Sequence, residues 1–77
     1  MRYSIMNTHP DGTKTYVKDC EAVLIDGKAC FNFNFTRDLS QAKRWGNERE
    51  KEIALFYIDA QMNGDCNLST VNLVMGE

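Results

Sequence analysis

The side chains best suited to chemistry fall into three groups. The first is the run Asp59-Ala60-Gln61-Met62-Asn63-Gly64-Asp65-Cys66-Asn67-Leu68-Ser69-Thr70. Oxygen-bearing side chains stand at positions 1, 3, 5, 7 and 9 of this run, with glycine at position 6, the spacing of an EF-hand calcium loop. Position 12 is Thr70 where a bidentate glutamate is needed, and position 3 is Gln61 where Asp or Asn is usual. Without the two oxygens of position 12 the run is a weak calcium binder. A helix stop at Asn63-Gly64 followed by a polar turn accounts for every residue in it. No metal ligand is assigned.

The second group is basic and aromatic. Arg37, Lys43, Arg44, Arg49 and Lys51 lie close in sequence around Trp45, with Asn32 and Asn34 upstream. Stacking on an aromatic ring combined with phosphate contacts is the physics of single-strand nucleic-acid binding. Asp38, Glu48, Glu50 and Glu52 interleave with these cations, five positive charges against four negative, the pattern of a solvated helix face. Arg37, Lys43, Arg44, Trp45 and Arg49 are the candidate partner-binding residues, because Arg and Trp are the usual anchors of protein interfaces. Trp45 also suits a place in the core beneath a helix.

The third group is Cys20, Cys30, Cys66 and the single histidine, His9. No C-x-x-C pair seeds a zinc site, and an odd cysteine count argues against a disulfide framework, so the thiols read as small buried hydrophobes. A nucleophilic triad needs a base beside the nucleophile, and the only histidine, His9, precedes Pro10 in a turn, the place of a solvated loop residue. The five glycines are scattered and form no phosphate loop. Among the acids only Asp59 lies in an apolar segment, near the helix end. The chain therefore reads as non-enzymatic, with no catalytic residue and no cofactor.

These residues must be positioned by one small domain, residues 1–77. Apolar residues make up 43% and charged residues 26% of the chain, and the net charge is −2. That balance argues against both a general nucleic-acid coat and a strongly acidic DNA mimic, each of which works through a large field of one sign. The longest apolar run, Ile53 to Ile58, is far too short to span a membrane. The first residues lead into alternating sequence rather than an apolar leader, so a reducing cytoplasm is expected.

Met1, Tyr3 and Ile5 alternate with Arg2 and Ser4, which predicts a strand over residues 1 to 8. Pro10-Asp11-Gly12 turns the chain, and Thr13 to Val17 pairs back. The segment Asp19 to Leu24 gives no clear pattern, but Asp26-Gly27 marks a second hairpin. Beyond it, Phe31, Phe33 and Phe35 alternate with Asn32 and Asn34, the cleanest strand in the chain, expected at the centre of the sheet under a helix. Asp38 is expected to cap a short helix over Leu39 to Trp45, ended by Gly46. Asn47 and Glu50 form a capping-box pair for a main helix from Glu48 to about Met62. Its core stripe is expected to be Ile53, Phe56, Tyr57 and Ala60. A last strand over Leu68 to Met75 closes the domain. The fold class is α+β, an antiparallel sheet of three to five strands with one main helix on one face. Its other face is expected to carry Asn32, Asn34 and Thr70.

The stretch Phe35-Thr36-Arg37-Asp38-Leu39-Ser40-Gln41-Ala42-Lys43-Arg44-Trp45, followed by a charged helix start, resembles small accessory proteins of bacteriophages and prophages. Those carry strands, a Thr-x-Asp-Leu-x-x-Ala-x-Arg-aromatic stretch, a helix and a closing strand. The group includes inhibitors of bacterial defence such as anti-CRISPR proteins. The resemblance covers about a third of the chain and carries no active-site residue. It implies a non-enzymatic protein that binds and inhibits a host protein, such as a CRISPR-Cas defence complex, by occluding its surface in the host cytoplasm. A nucleic-acid-binding module built on the Arg37–Lys51 cluster is the alternative expectation.

Overall fold

The computed structural model describes residues 2–73, and its two hairpins form where turn chemistry demands them. Strand β1 (Arg2–Thr8) leads into a turn in which Asp11 Oδ1 accepts bonds from the Thr13 N–H and hydroxyl, at 2.9 and 2.7 Å. Gly12 supplies the left-handed residue there, at φ 90°. Strand β2 (Lys14–Ile25) joins β3 (Lys28–Thr36) through Asp26-Gly27, both at positive φ (51° and 79°), the two-residue turn whose twist matches that of a hairpin. After a single 3₁₀ turn (Leu39–Gln41) comes helix α1 (Glu48–Gln61), then strand β4 (Leu68–Leu73). The expected end of β4 at Val74 and Met75 lies outside the described residues. The fold is α+β: one antiparallel sheet in the order β3-β2-β1-β4, with α1 across one face.

That order moves the phenylalanine strand from the expected centre to an edge, and β1 takes the centre. The connection explains it. Helix α1 carries the chain across the sheet face from β3 to the far side of β1, where β4 pairs with it from Arg2↔Leu73 to Asn7↔Leu68. The outer side of β3 is left without a strand.

Strand β2 resisted a simple alternating pattern because it contains a bulge. Val17 faces Phe35 and Lys18 faces Asn34, but the register then slips between Lys18 and Glu21 before resuming at Glu21↔Asn32. Asp19 is the extra residue, held in the left-handed region at φ 53°. The slip shifts the inward phase by one. Val17 points into the core before it and Cys20 after it, and both are buried.

The expected helix over Leu39 to Trp45 shrinks to the 3₁₀ turn. Asp38 does cap it, its Oδ1 accepting from the Ser40 N–H at 3.0 Å and hydroxyl at 2.7 Å, but Ala42 is already extended. The backbone groups beyond have better partners. Lys43 N–H donates to Val17 C=O at 2.9 Å, and Trp45 exchanges two bonds with Tyr3 at 2.8 and 2.9 Å. Residues 43–45 thus act as a short extra strand between β1 and the diverging β2. Ser4 Oγ donates to Lys43 C=O at 2.9 Å and completes the junction.

Asn47 caps α1, its Oδ1 accepting from the Arg49 and Glu50 N–H groups at 2.8 and 3.2 Å, while no bond returns from the Glu50 side chain. The helix turns inward a face other than the expected one. Lys51, Ala54 and Ile58 are buried, with Leu55 and Met62 packed beside them. Ile53, Phe56 and Tyr57 face out. Trp45, Tyr3 and the three phenylalanines of β3 already fill the space above the sheet, so α1 approaches with its small residue, Ala54, innermost.

Lys51 is the least expected member of this core, at 2% exposure. Its Nζ donates to Glu52 Oε1 at 2.6 Å and to Thr70 Oγ1 at 2.7 Å, and lies 5.8 Å from the centre of the Tyr3 ring. Thr70 stands opposite Ile5 in the ladder, so it lies on the helix side of the sheet rather than on the open face. Asn32 and Asn34 are exposed on that open face as expected. The stem of Lys51 acts as core hydrocarbon, while its carboxylate partner is largely solvated and is not stranded by its loss. Lys51→Met should therefore keep stability within about 1 kcal/mol of the parent, while Lys51→Ala should lose roughly 2–3 kcal/mol through the cavity it leaves. Urea unfolding of the two variants measures the difference, and equal losses would refute a packing role for the stem.

Candidate functional site

The five candidate residues of the basic segment separate in the fold. Lys43 and Trp45 meet, the Lys43 Nζ lying 5.4 Å from the indole centre. Trp45 is only 8% exposed, so it is a core residue beneath α1 and presents no surface for stacking or anchoring. Arg37 follows the end of β3 and lines a shallow hollow with His9, Pro10, Asp11, Thr13 and Thr15. Arg44 is exposed, and Arg49 stands exposed in the first turn of α1. No hydrogen bond or cation–π contact among the described residues joins Arg37, Arg44 or Arg49 to one another. With Trp45 and Lys51 both in the core, the Arg37–Lys51 cluster loses its aromatic platform and one of its five cations.

The outer face of α1 carries what the basic segment lacks. Ile53, Phe56 and Tyr57 are 45%, 68% and 39% exposed and follow the i, i+3, i+4 spacing of one helix face, continued by the exposed Ala60. Arg49, four residues before Ile53, lies on the same face. The Tyr57 ring packs edge-on to Phe56 at 5.7 Å and tilts against Phe31 of β3 at 5.5 Å, so the two aromatic rings are held rather than free. Leu24 and Ile25, at the tip of the second hairpin, add a separate exposed apolar point.

The spacing of this stripe is legible in the sequence, where it points to the core rather than to the surface. The signal that separates the two readings is competition for space. The helix carries two largely apolar stripes, 53-56-57-60 and 51-54-55-58-62, and a sheet face already covered by a buried tryptophan and three partly buried phenylalanines has room for only one of them.

The other candidates dissolve in the geometry. Of the would-be calcium ligands, the Gln61 carboxamide is bonded to the backbone of Phe31 and the Thr70 hydroxyl to the ammonium of Lys51. A cationic group thus occupies the place where position 12 would have to offer a second carboxylate oxygen. Asp59 and Asn63 belong to the helix stop, where Gly64 N–H donates to Asp59 C=O at 3.1 Å. His9 Nε2 lies 3.0 Å from Thr15 Oγ1, a pairing inside its own hairpin. A polar hollow beside the bulge is lined by Asp19, Cys20, Glu21, Asn32, Asn34, Gln41 and Lys43.

Two thiols are shifted towards their protonated form. Burial raises the Cys20 pKa above the ordinary thiol value, opposed in part by the positive charge of Lys43. Burial also raises Cys66, helped by the negative charges of Asp65 and Asp59. A raised thiol pKa means less thiolate at neutral pH, and the thiolate is the nucleophile. Iodoacetamide at pH 7 should therefore label Cys20 and Cys66 slowly in the folded protein and readily in urea. Rapid native labelling of Cys20, read by peptide mass spectrometry, would contradict its burial.

No helix among the described residues is long and apolar enough to cross a membrane. Compared as a whole with known proteins, the chain matches no family model, no curated protein and no solved structure, so the reading of this surface rests on its own chemistry.

Proposed function

We propose that this domain is a non-enzymatic binding module that captures another protein and occludes part of its surface through the outer face of α1. The observation that carries this reading is the exposed stripe Ile53, Phe56 and Tyr57 on a helix whose opposite face is already fully used by the core. Isolated exposed apolar residues are ordinary, but an aromatic pair with an isoleucine on one helix face is the pattern by which a helix lays itself into an apolar groove. Arg49, one turn before Ile53, supplies a charged anchor at the rim. Pre-ordering of the Phe56 and Tyr57 rings by their mutual contact and by Phe31 lowers the entropy lost on binding.

The resemblance of Phe35–Trp45 to bacteriophage accessory proteins supports a host protein as the partner, such as a component of a bacterial defence complex. On that reading the protein acts in the host cytoplasm. The nucleic-acid alternative gains nothing from the geometry, because Trp45 and Lys51 lie inside the core.

Capture from bacterial lysate by the tagged protein tests the reading when the parent and Phe56→Asp are run side by side. The expected result is a stoichiometric host protein that survives nuclease and salt, with affinity at least about 30-fold weaker for Phe56→Asp, as for loss of a central aromatic anchor. Arg49→Glu should weaken the same capture to a lesser degree. Undiminished capture by a folded Phe56→Asp protein would remove the helix face from the interface, and loss of all capture on nuclease treatment would favour nucleic acid.

A further inference from the structure

Strand β3 is an edge of unusual openness. Its nine residues, Lys28–Thr36, contain no proline, and their one charged side chain, Lys28, stands at the end, so the stretch Ala29–Thr36 lacks the charges and prolines that usually blunt an edge. In an antiparallel ladder, alternate residues direct their N–H and C=O groups away from the partner strand. At Phe31 this outward direction is seen directly. Its N–H donates to Gln61 Oε1 at 2.7 Å, and its C=O accepts from Gln61 Nε2 at 2.9 Å. By the same alternation Phe33 and Phe35 also point their backbone groups outward.

A carboxamide carries one acceptor and a donor in the arrangement of a peptide group. Gln61, the last residue of α1, therefore stands where a residue of a neighbouring strand would stand. No other side chain among the described residues hydrogen-bonds the backbone of β3. The edge is held at one point and free at the others.

The sequence of the edge says what fits it. Phe31-Asn32-Phe33-Asn34-Phe35 reads the same in both directions. Two copies of the strand, antiparallel about a two-fold axis at Phe33, place Phe33 opposite its own counterpart, Phe31 opposite Phe35, and Asn32 opposite Asn34. Every outward-bonding residue then meets another outward-bonding residue, as an antiparallel ladder requires. The same register brings Lys28 of each copy towards Asp38 of the other, opposite charges at both ends, and sets no like charges against each other. The two helices fall on the same side of the extended sheet.

We propose that the β3 edge is a homotypic strand-addition interface, in which a second copy of this chain takes the Phe31 backbone groups that Gln61 holds in the monomer. Association is concentration-dependent by mass action, and the Gln61 contact that each copy must give up raises the concentration it requires. The inference rests on β3 and Gln61 and is independent of the reading of the outer face of α1.

Sedimentation velocity of the full chain over a range of concentrations, under reducing conditions, tests it. Gln61→Ala should dimerise about ten-fold more tightly than the parent, since hydrogen bonds no longer compete with the second copy. Asn32→Lys with Asn34→Glu leaves Gln61 in place and sets opposite charges against each other in the proposed register, so it should also strengthen the dimer. Asn32→Lys with Asn34→Lys sets like charges there and should stay monomeric, with unchanged far-UV circular dichroism in all three. A folded Gln61→Ala protein that remains monomeric at every concentration overturns the proposal. So does a Lys/Glu variant no tighter than the Lys/Lys variant, or an open-ended series of larger species in place of a dimer.

Discussion

Between Arg2 and Ile5, strand β1 has β4 on one side and no ladder with β2 on the other, since that ladder holds only from Met6↔Tyr16 to Thr8↔Lys14. Ser4 and Ile5 are fully buried, and backbone polar groups left unpaired near so dry an interior would each cost about 1–3 kcal/mol. The segment 43–45 supplies the missing partner. Trp45 exchanges two bonds with Tyr3, Lys43 bonds Val17, and Ser4 bonds the Lys43 carbonyl. Much else follows from this junction. It prevents a helix over Leu39 to Trp45, draws the indole into the core, and uses in the interior a residue that sequence chemistry offers as a surface anchor.

The bulge at Asp19 is the matching adjustment in β2. If the same residues ran on in regular alternation with no bulge, Cys20 would turn to the open face and Glu21 to the core. The left-handed backbone at Asp19 carries some strain, tolerable for an aspartate, which enters that region more readily than most residues. With both adjustments made, Ile5, Val17, Cys20 and Trp45 form a floor on which only the Ala54 side of α1 can settle. The bulky stripe of the helix is thereby turned to solvent, and the surface proposed for partner capture is a consequence of how the core is filled. The buried polar side chains are all satisfied among the described residues, including Asn7, whose Oδ1 accepts from the Asn67 N–H and ties the last loop to β1.

Edge control connects fold and function in a second way. A four-stranded open sheet has two edges, and in this one they are β3 and β4, since the helix crossover sets β4 beside β1. The one side chain that guards β3 comes from the end of α1, so the helix supplies both an exposed aromatic face and the cap on the sheet. A domain this small has little interior to spare for a pocket.

Local chemistry in the sequence was enough to determine the two hairpin turns, the cap at Asn47, the stop at Asn63-Gly64, the alternation of β3 and the α+β class. Each depends on backbone preferences and contacts within a few residues, which persist whatever the rest of the chain does. Sequence alone could not decide which of two apolar stripes of α1 faces inward, whether β3 is central or an edge, or whether Trp45 is an anchor or a core residue. The candidate site was legible in part: Arg49 remains on an exposed face, and the stripe beside it was recognised as a stripe. Lys51 has the sequence signature of surface charge, because a lysine shows its ammonium in the sequence and its hydrocarbon only in the core. Those choices depend on competition for a fixed volume and for unpaired backbone groups among segments far apart in sequence. Only the assembled structure settles such competition, because each segment's gain depends on what the others have already filled.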